Sequence, residues 1–552
     1  MLKRRHPDKN RILLVNITRL GDMLQATPTI AGMKLENPDA KITVLVEKQF
    51  ESICRILPGI DEVISIDLGM TVRSLAREHE GIIDAYDYIG ELVRDLRLKD
   101  FDYCLNMSSS AYTAMLLKLV GVENQGGWTS DDEGYRVIES DWAKLFATSV
   151  FHQNRQYNSL NLVDVFRCSA DVDKHPLKLQ IEVDDASRTY CRDLLAEAAF
   201  TNTGPLIAVQ AGASQEKRQW APERFVRFVR ELIEKHNARV VMTGTKKELS
   251  IVEPIKLGVN SQNVFVAAGR TTIPQLSALL EASDLLVTGD TGPMHMSVAV
   301  GTPVVAMFLA SAFVFETGPY SAGNIVIQPV IGCGPCNPNK SCGRPDCHDT
   351  IEPEWLAALT IMRLKEDLHS LPAGFIDPQK MVVYRSYFDQ YGFCNYEPLS
   401  AVPDKTLERF RNAYRKLWLD DLGGYVIQAP ENGQSSSSLK LFDSALEGVA
   451  QVEALAERGA ELISQLQRCI SDATIPAAQL GEINSEMLEV DRKVEELGFQ
   501  HPPLGPVTRM FVFGKENLSG TDPLQLASQM KSVYQDLKRR CIKLVNYYST
   551  QS

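Results

Sequence analysis

Leu285-Leu286-Val287-Thr288-Gly289-Asp290-Thr291-Gly292-Pro293-Met294-His295 reads as a buried strand that stops at a glycine and passes directly into a helix. The leading apolar run has the length and character of a strand covered on both faces. Pro293 stands where a first helical position is expected, a place at which its missing N–H is not needed. Such a helix start turns free backbone N–H groups toward an anion, and His295, one turn in, adds a donor. Another apolar run, Val304 to Phe308, follows the helix, so the unit is strand, helix, strand. The same rhythm extends upstream: strand Leu206 to Gln210, helix Pro222 to His236, strand Arg239 to Thr243, a helix, strand Val264 to Ala267 and helix Ile273 to Ala282. It also occupies the start of the chain, with Ile12 to Val15 and Lys41 to Val46 as strands around a mainly helical stretch from Met23 to Met33. A break near Thr201 to Pro205 divides the two series. The pattern predicts two doubly wound α/β domains in tandem, with a ligand cleft opposite the carboxyl ends of their strands.

The 552 residues are 44% hydrophobic and 23% charged, the composition of a soluble globular protein of about three or four domains. A net charge of −12 argues against a broad nucleic-acid surface, which needs concentrated basic residues to replace phosphate counterions. Lys3, Arg4 and Arg5 are followed only by the short run Ile12 to Val15, less than a signal peptide needs, and no stretch approaches the length of a membrane span, so the expected location is cytoplasmic. Seven of the 11 cysteines are scattered singly and read as reduced core residues. Beyond about Asp377 the rhythm is lost. An aromatic-rich segment from Val382 to Tyr396 precedes an amphipathic stretch from Leu407 to Leu419, and Pro430 through Ser438 reads as a linker. Helices are expected across Leu446 to Leu466, Ile483 to Leu497 and Leu524 to Val545, the last with Asp522 as N-cap and Pro523 at the first position. They carry no chemical motif and read as a bundle for packing or oligomerisation. The expected domains are 1–195, 196–373 with a Cys-rich loop at 332–348, a connecting segment 374–433, and a helical extension 434–552.

Four stretches carry chemistry. In Thr18-Arg19-Leu20-Gly21-Asp22, a glycine admits close backbone approach, and a carboxylate at a helix start is kept ionised by the helix dipole and can accept a proton; the alternative is an ordinary Asp N-cap. In Gln210 to Trp220, Ser214 can donate a hydrogen bond and Lys217 or Arg218 can neutralise a diphosphate, or the pair can simply be solvated. Asp290-Thr291-Gly292 is shared with aspartic proteases, but those need a second Asp in a β-rich fold. Cys333, Cys336, Cys342 and Cys347, among glycines and prolines and beside His348, form a knuckle able to hold a structural zinc or iron, or else are reduced or disulfide-forming loop cysteines; four thiolates would leave no open position for catalytic water.

Taken in order, these stretches resemble the ADP-heptose:lipopolysaccharide heptosyltransferases, glycosyltransferase family 9. The resemblance covers Arg11 to Trp355 and rests on Arg19-x-Gly21-Asp22 with Thr27-Pro28, on the basic-x-Trp-x-Pro element at Arg218 to Pro222, and on Gly289 to His295 followed by Gly301-Thr302-Pro303-Val304-Val305. It implies a GT-B fold: two Rossmann-like domains, an amino-terminal acceptor domain and a carboxy-terminal nucleotide-sugar domain, here with a mainly helical carboxy-terminal extension. It implies inverting transfer of heptose from ADP-heptose to a lipopolysaccharide-core acceptor, with no cofactor required for catalysis. Asp22 then looks like the general base, with Arg19 and Gly21 on the acceptor-side loop. Arg218 falls on the family's basic position when counted back from Trp220, and Lys217 does if one residue is inserted. Ser214, Gly244, Thr245, Lys246, Asp290, Thr291, Gly292 and His295 look like donor-binding residues. Several family members carry a cysteine cluster like Cys333 to Cys347. Two features depart from the pattern: Lys246 stands where some members have an acidic residue, and the residues after Gly374 exceed what two domains need. That extension suits an unusual acceptor, such as a protein Ser or Thr, or homo-oligomer assembly. A glycolipid acceptor would bring peripheral contact with the inner membrane. A nucleotide-sugar-binding scaffold without activity and a sugar-nucleotide epimerase are the remaining alternatives.

Overall fold

Each apolar run read as a strand between Ile12 and Phe308 is a strand. In chain order the described strands are β1 (Arg11–Val15), β2 (Lys41–Glu47), β3 (Glu62–Ile66), β4 (Tyr103–Asn106), β5 (Gln125–Ser130), β6 (Arg136–Ile138), β7 (Leu206–Gln210), β8 (Arg239–Thr243), β9 (Val264–Val266), β10 (Leu285–Gly289), β11 (Val304–Met307), β12 (Ile325–Pro329), β13 (Met381–Phe388) and β14 (Cys394–Pro398). The computed structural model describes residues 10–550 apart from 78–80, 132, 173, 175–176, 338, 344, 368–370, 372–374, 428–445 and 472–476. The basic start Lys3 to Arg5 and the linker expected from Pro430 to Ser438 lie outside the described residues. No helix among the described residues is long and apolar enough to cross a membrane.

The chain forms two compact units, one of Met1–Gln125 with Leu160–Pro403 and one of Gly126–Ser159 with Asp404–Ser552. The first unit has the GT-B architecture: two mainly parallel sheets flanked by helices. In one sheet the order is β3-β2-β1-β4, with Ile12 opposite both Ile42 and Tyr103. In the other it is β14-β13-β12-β11-β10-β7-β8-β9, parallel from β12 to β9. In both, the strand order reverses beside the first strand, since β1 lies between β2 and β4 and β7 between β8 and β10. Such a reversal parts the loops at the carboxyl ends of the strands and opens a crevice there. The loops that leave β1, β7 and β10 are the ones carrying Asp22, Arg218 and Asp290.

Local chemistry explains why the second sheet is so well defined. The helix Pro222–His236 starts with Pro222 in its first turn and ends at Asn237, whose φ of +56° closes it in the left-handed region. It buries Phe225, Phe228, Val229 and Leu232 at helical spacing, four side chains that each contribute roughly 1.5–3 kcal/mol by leaving water. The Trp220 ring meets Phe225 edge-on at 5.1 Å, which fixes the loop ahead of the helix.

The two halves of the first unit are joined by a buried polar cluster. Arg167 donates to Asp164 at 3.0 Å and to the Tyr320 hydroxyl at 2.8 Å, Tyr320 donates to Asp164 at 2.6 Å, and the Cys394 backbone N–H donates to the other Asp164 oxygen at 3.0 Å. Removing one partner of such a cluster leaves a charge buried without compensation. Asp164→Ala is therefore expected to destabilise the chain by about 3–5 kcal/mol, measured by denaturant unfolding.

The compact units cut across the boundaries expected from sequence. The aromatic segment Val382 to Tyr396, expected within a connector at 374–433, is the antiparallel hairpin β13–β14, which extends the second sheet by pairing with β12. Tyr384 and Tyr396 pack edge-on against Phe315 at 5.4 and 5.7 Å, so these aromatics are covered by the sheet edge they extend. Gly126–Ser159, expected within the amino-terminal domain, belongs to the second unit together with the helices Lys405–Asp421, Val449–Ser471, Ala477–Gln500, Gly505–Glu516 and Pro523–Ser549. There Trp128, Ile138 and Ala143 form a small core joined by Phe513, and the Ile138 N–H donates to Asn517. Gly459 lets the helix Val449–Ser471 press on Tyr534, where a methyl would come within 2.2 Å of the ring. Asp421 is buried beneath Arg539 and Arg540 at 2.8 and 2.7 Å. Asp522 caps the last helix through the Leu524 N–H and Pro523 follows it, as expected.

Candidate active site

β1 ends at Val15, and the next residues turn on the side chain of Asn16: its amide donates to the Asp22 carbonyl at 3.1 Å, and its oxygen accepts from the Thr18 hydroxyl at 2.6 Å. Ser108, after β4, accepts from the Ile17 N–H at 3.0 Å and ties the turn to the neighbouring strand. The helix Leu20–Gln25 follows, with Arg19 as its N-cap and no side chain capping it. Asp22 is thus not the N-cap. It sits in the first turn, where burial pushes its carboxyl above the ordinary carboxylate range. The Asp290 charge adds to the rise, while Thr18 and the Arg19 charge oppose it. Arg19 itself is exposed.

The loop after β10 faces this helix start. Thr291 is the N-cap of the helix Gly292–Ala299, no side chain caps it, and the Thr291 hydroxyl is instead paired with that of Thr288 at 2.9 Å. The helix start therefore remains available to an anionic or hydroxylated ligand. A methyl on Gly21 would lie 3.1 Å from His295 Cδ2, and one on Gly292 would lie 2.6 Å from Leu20 Cδ2. The two glycines are what let the two helix starts come this close. His295 is 4% exposed, and its Nδ1 is buried with no hydrogen-bond partner among the described residues. Burial pushes its imidazole down to about 4, with Asp290 opposing, so the ring is neutral at pH 7. Because the folded state favours the neutral ring, this group's stabilising contribution is complete above 6.5 and is lost as pH falls toward 4. Replacing His295 by Gln is expected to flatten the fall of Tm across that window.

The two basic candidates of the loop after β7 part company. Arg218 donates from Nη1 to Asp290 at 3.0 Å and from Nε to the Ser311 hydroxyl at 2.9 Å. Lys217 points the other way, its ammonium held by the backbone carbonyls of Asn337 and Lys340 at 3.2 and 2.7 Å, in the cysteine loop. Trp220 donates to the His348 carbonyl at 3.1 Å and His348 Nε2 meets the Lys217 carbonyl at 2.9 Å, so the tryptophan is anchored beside the cysteine loop.

A neighbouring group of residues surrounds Glu248, which the sequence reading passed over. Thr245 and Glu248 form a capping box, and the Glu248 carboxylate accepts from the Gln210 amide at 3.0 Å and the Thr245 N–H at 2.6 Å. A methyl on Gly212 would lie 1.8 Å from Glu248 Oε1. The Thr-x-x-Glu spacing of a capping box was the available signal. Ser214, Thr245 and Lys246 are exposed, and Gly244 has a φ of +150° that favours glycine.

The four loop cysteines interact electrostatically. Burial pushes the Cys336 thiol up to about 11, with Cys333 beside it and Cys347 and Cys342 adding to the rise. Among the described residues, however, no three His, Cys, Asp or Glu side chains are grouped so as to hold a metal ion. As placed, the described residues of this loop do not fit a structural zinc or iron.

Residues 89–343 match the family model Glycosyltransferase family 9 (heptosyltransferase). Lipopolysaccharide heptosyltransferase 3 of Escherichia coli is 27% identical over 297 residues, covering 53% of this chain and 82% of that one. Lipopolysaccharide heptosyltransferase 2 of Salmonella typhimurium is 23% identical over 371 residues, covering 65% and 98%. The crystal structure of the glycosyl transferase family 9 protein from Veillonella parvula shares the fold, with a TM-score of 0.52, 20% identity, and 65% and 99% of the two chains covered. With the ordered loops meeting at both switch points of a GT-B fold, this chain is a glycosyltransferase, and what it resembles over residues 89–343 is glycosyltransferase family 9.

Proposed function

We propose that the chain transfers heptose from ADP-heptose, with inversion, to a hydroxyl of a lipopolysaccharide-core acceptor. The observation that carries this reading is the meeting of the Asp22 helix start with the Asp290–Arg218 pair, and the names of the relatives supply the sugar and the acceptor class. Asp22 takes the proton of the acceptor hydroxyl as its oxygen attacks the anomeric carbon from the face opposite the diphosphate. The bond from that carbon to the diphosphate oxygen breaks, and Arg218 together with the uncapped start of the helix Gly292–Ala299 stabilises the charge that arrives there. The raised carboxyl suits a proton acceptor better than an ordinary exposed Asp would, because its proton affinity lies nearer neutral pH. Asp290, Thr291 and neutral His295 hold sugar hydroxyls and phosphate oxygens. Glu248, with Ser214, Thr245 and Lys246 around it, receives the nucleoside, its carboxylate accepting from ribose hydroxyls. A glycolipid acceptor would be met by peripheral contact at the inner membrane face.

The test is calorimetric titration of the full chain with ADP, UDP and GDP, followed by a transfer assay with ADP-heptose and heptose-deficient lipopolysaccharide. Selective ADP binding and release of ADP coupled to an inverted glycoside are expected. Binding of UDP or GDP in place of ADP would overturn the donor, and donor turnover without sugar reaching the lipopolysaccharide would overturn the acceptor.

A further inference from the structure

Among the described residues Arg218 uses two of its five N–H donors, on Asp290 and on Ser311, which leaves three for a ligand. The partner at Nε is unusual. Ser311 is 1% exposed and lies on the turn after β11, a place where a buried hydroxyl needs a reason. That turn is pinned from two sides. From β12, the Gln328 side chain donates to the Phe308 carbonyl at 3.0 Å and accepts from the Val314 N–H at 3.2 Å. From the cysteine loop, the Cys336 N–H donates to the Ala310 carbonyl at 3.0 Å, and the Ala310 N–H faces the Cys347 sulfur. Ala310 has a φ of +53°, a conformation an alanine keeps only where its surroundings impose it. The same cysteine loop holds Lys217, the residue preceding Arg218. The Lys217 carbonyl also meets His348 Nε2 at 2.9 Å, so the residue before Arg218 is held by this loop, while the Arg218 guanidinium is held through Ser311 on the turn the loop braces.

We propose that Ser311 is a positioning residue for the transferase: held on the turn that the cysteine loop braces at Ala310, its hydroxyl orients Arg218 so that the free edge of the guanidinium meets the diphosphate of the donor. The proposal rests on the reading of Arg218 given above. An arginine side chain is long and rotates about several bonds, so one preset contact at Nε removes freedom that diphosphate binding would otherwise have to remove. The cysteine loop acquires a role here that needs no ion, as the brace of a phosphate-binding arginine.

A double-mutant cycle on the full-length protein separates orientation from mere packing. Wild type, Arg218→Ala, Ser311→Ala and the double variant are titrated with whichever of ADP, UDP and GDP the wild type binds. Arg218→Ala is expected to weaken binding roughly 10- to 100-fold, the loss that goes with a charge-assisted contact, and Ser311→Ala by about 5-fold. In the Arg218→Ala background, Ser311→Ala should change affinity by less than about twofold, and Ser311→Thr, which keeps the hydroxyl, should bind as wild type does. If alanine packs poorly, Ser311→Cys, close in volume but a weak acceptor, gives the same reading. Equal losses from Ser311→Ala in both backgrounds, or no loss in either, overturn the proposal while leaving Arg218 as the phosphate contact. Unchanged binding in Arg218→Ala overturns the role of Arg218 and the Ser311 proposal with it, and failure of the wild type to bind any of the three overturns both.

Discussion

Asp22→Asn is expected to lower kcat about 10³-fold while leaving nucleoside-diphosphate binding within about twofold, as removal of a general base should. The isosteric amide keeps the turn that Asn16 organises, because Asn16 binds the Asp22 backbone carbonyl and not its side chain. Two pH effects follow from the carboxyl being pushed upward by burial and by the neighbouring Asp290 charge. In the wild type, kcat/KM should fall as pH drops through a value above the ordinary carboxylate range. Stability should run the opposite way. The folded chain holds the Asp22 proton more tightly than the unfolded chain does, so stability declines as pH rises through the interval between the ordinary and the raised value. Above the raised value the wild type carries the whole of that penalty, and Asp22→Asn removes it. A thermal melt at pH 7 is therefore expected to show a higher Tm for the inactive variant. A variant that loses its Tm along with its activity would place Asp22 in the fold and not in the chemistry.

Arg218→Ala is expected to reduce kcat about 10²-fold, the effect of losing one preorganised charge donor at a departing oxyanion, whereas Lys217→Ala should leave kcat within about threefold. The adjacent positions differ in where their charges go. Arg218 reaches Asp290 and Ser311 with 13% of its side chain exposed, while the Lys217 ammonium is bound to two carbonyls of the cysteine loop. Arg218→Lys should recover only part of the rate, since an ammonium keeps the charge but cannot bridge Ser311, Asp290 and a phosphate in one plane. Steady-state assays of the three variants with the same donor distinguish these outcomes. A larger loss from Lys217→Ala than from Arg218→Ala would reverse the assignment.

The pairing of Arg218 with Asp290 also shows why the site could be read only in pieces from the chain. Asp22, Arg218 and Asp290 each follow a strand and were legible as loop residues, Asp22 and Asp290 at helix starts, because strand periodicity, a glycine and Pro293 are local signals. That Gly21 admits the His295 ring, and Gly292 the Leu20 side chain, is decided by two helix starts 271 residues apart in sequence coming to within a methyl's width. No spacing encodes that distance. The choice between Lys217 and Arg218 was equally beyond the chain, since both carry one positive charge and only the placement of Asn337, Lys340, Ser311 and Asp290 separates them.

The same division holds for the whole molecule. Hydrophobic periodicity determined the α/β rhythm, the tandem doubly wound domains and the terminal helices, because burial of a strand or of one helix face imposes its own repeat on the residues. Tertiary structure alone decided that Val382 to Tyr396 completes the second sheet and that Gly126–Ser159 joins the carboxy-terminal helices. Those outcomes depend on which exposed edge or apolar face each segment finds to cover it. A sequence records that a surface must be buried, and only the folded chain supplies the surface that buries it.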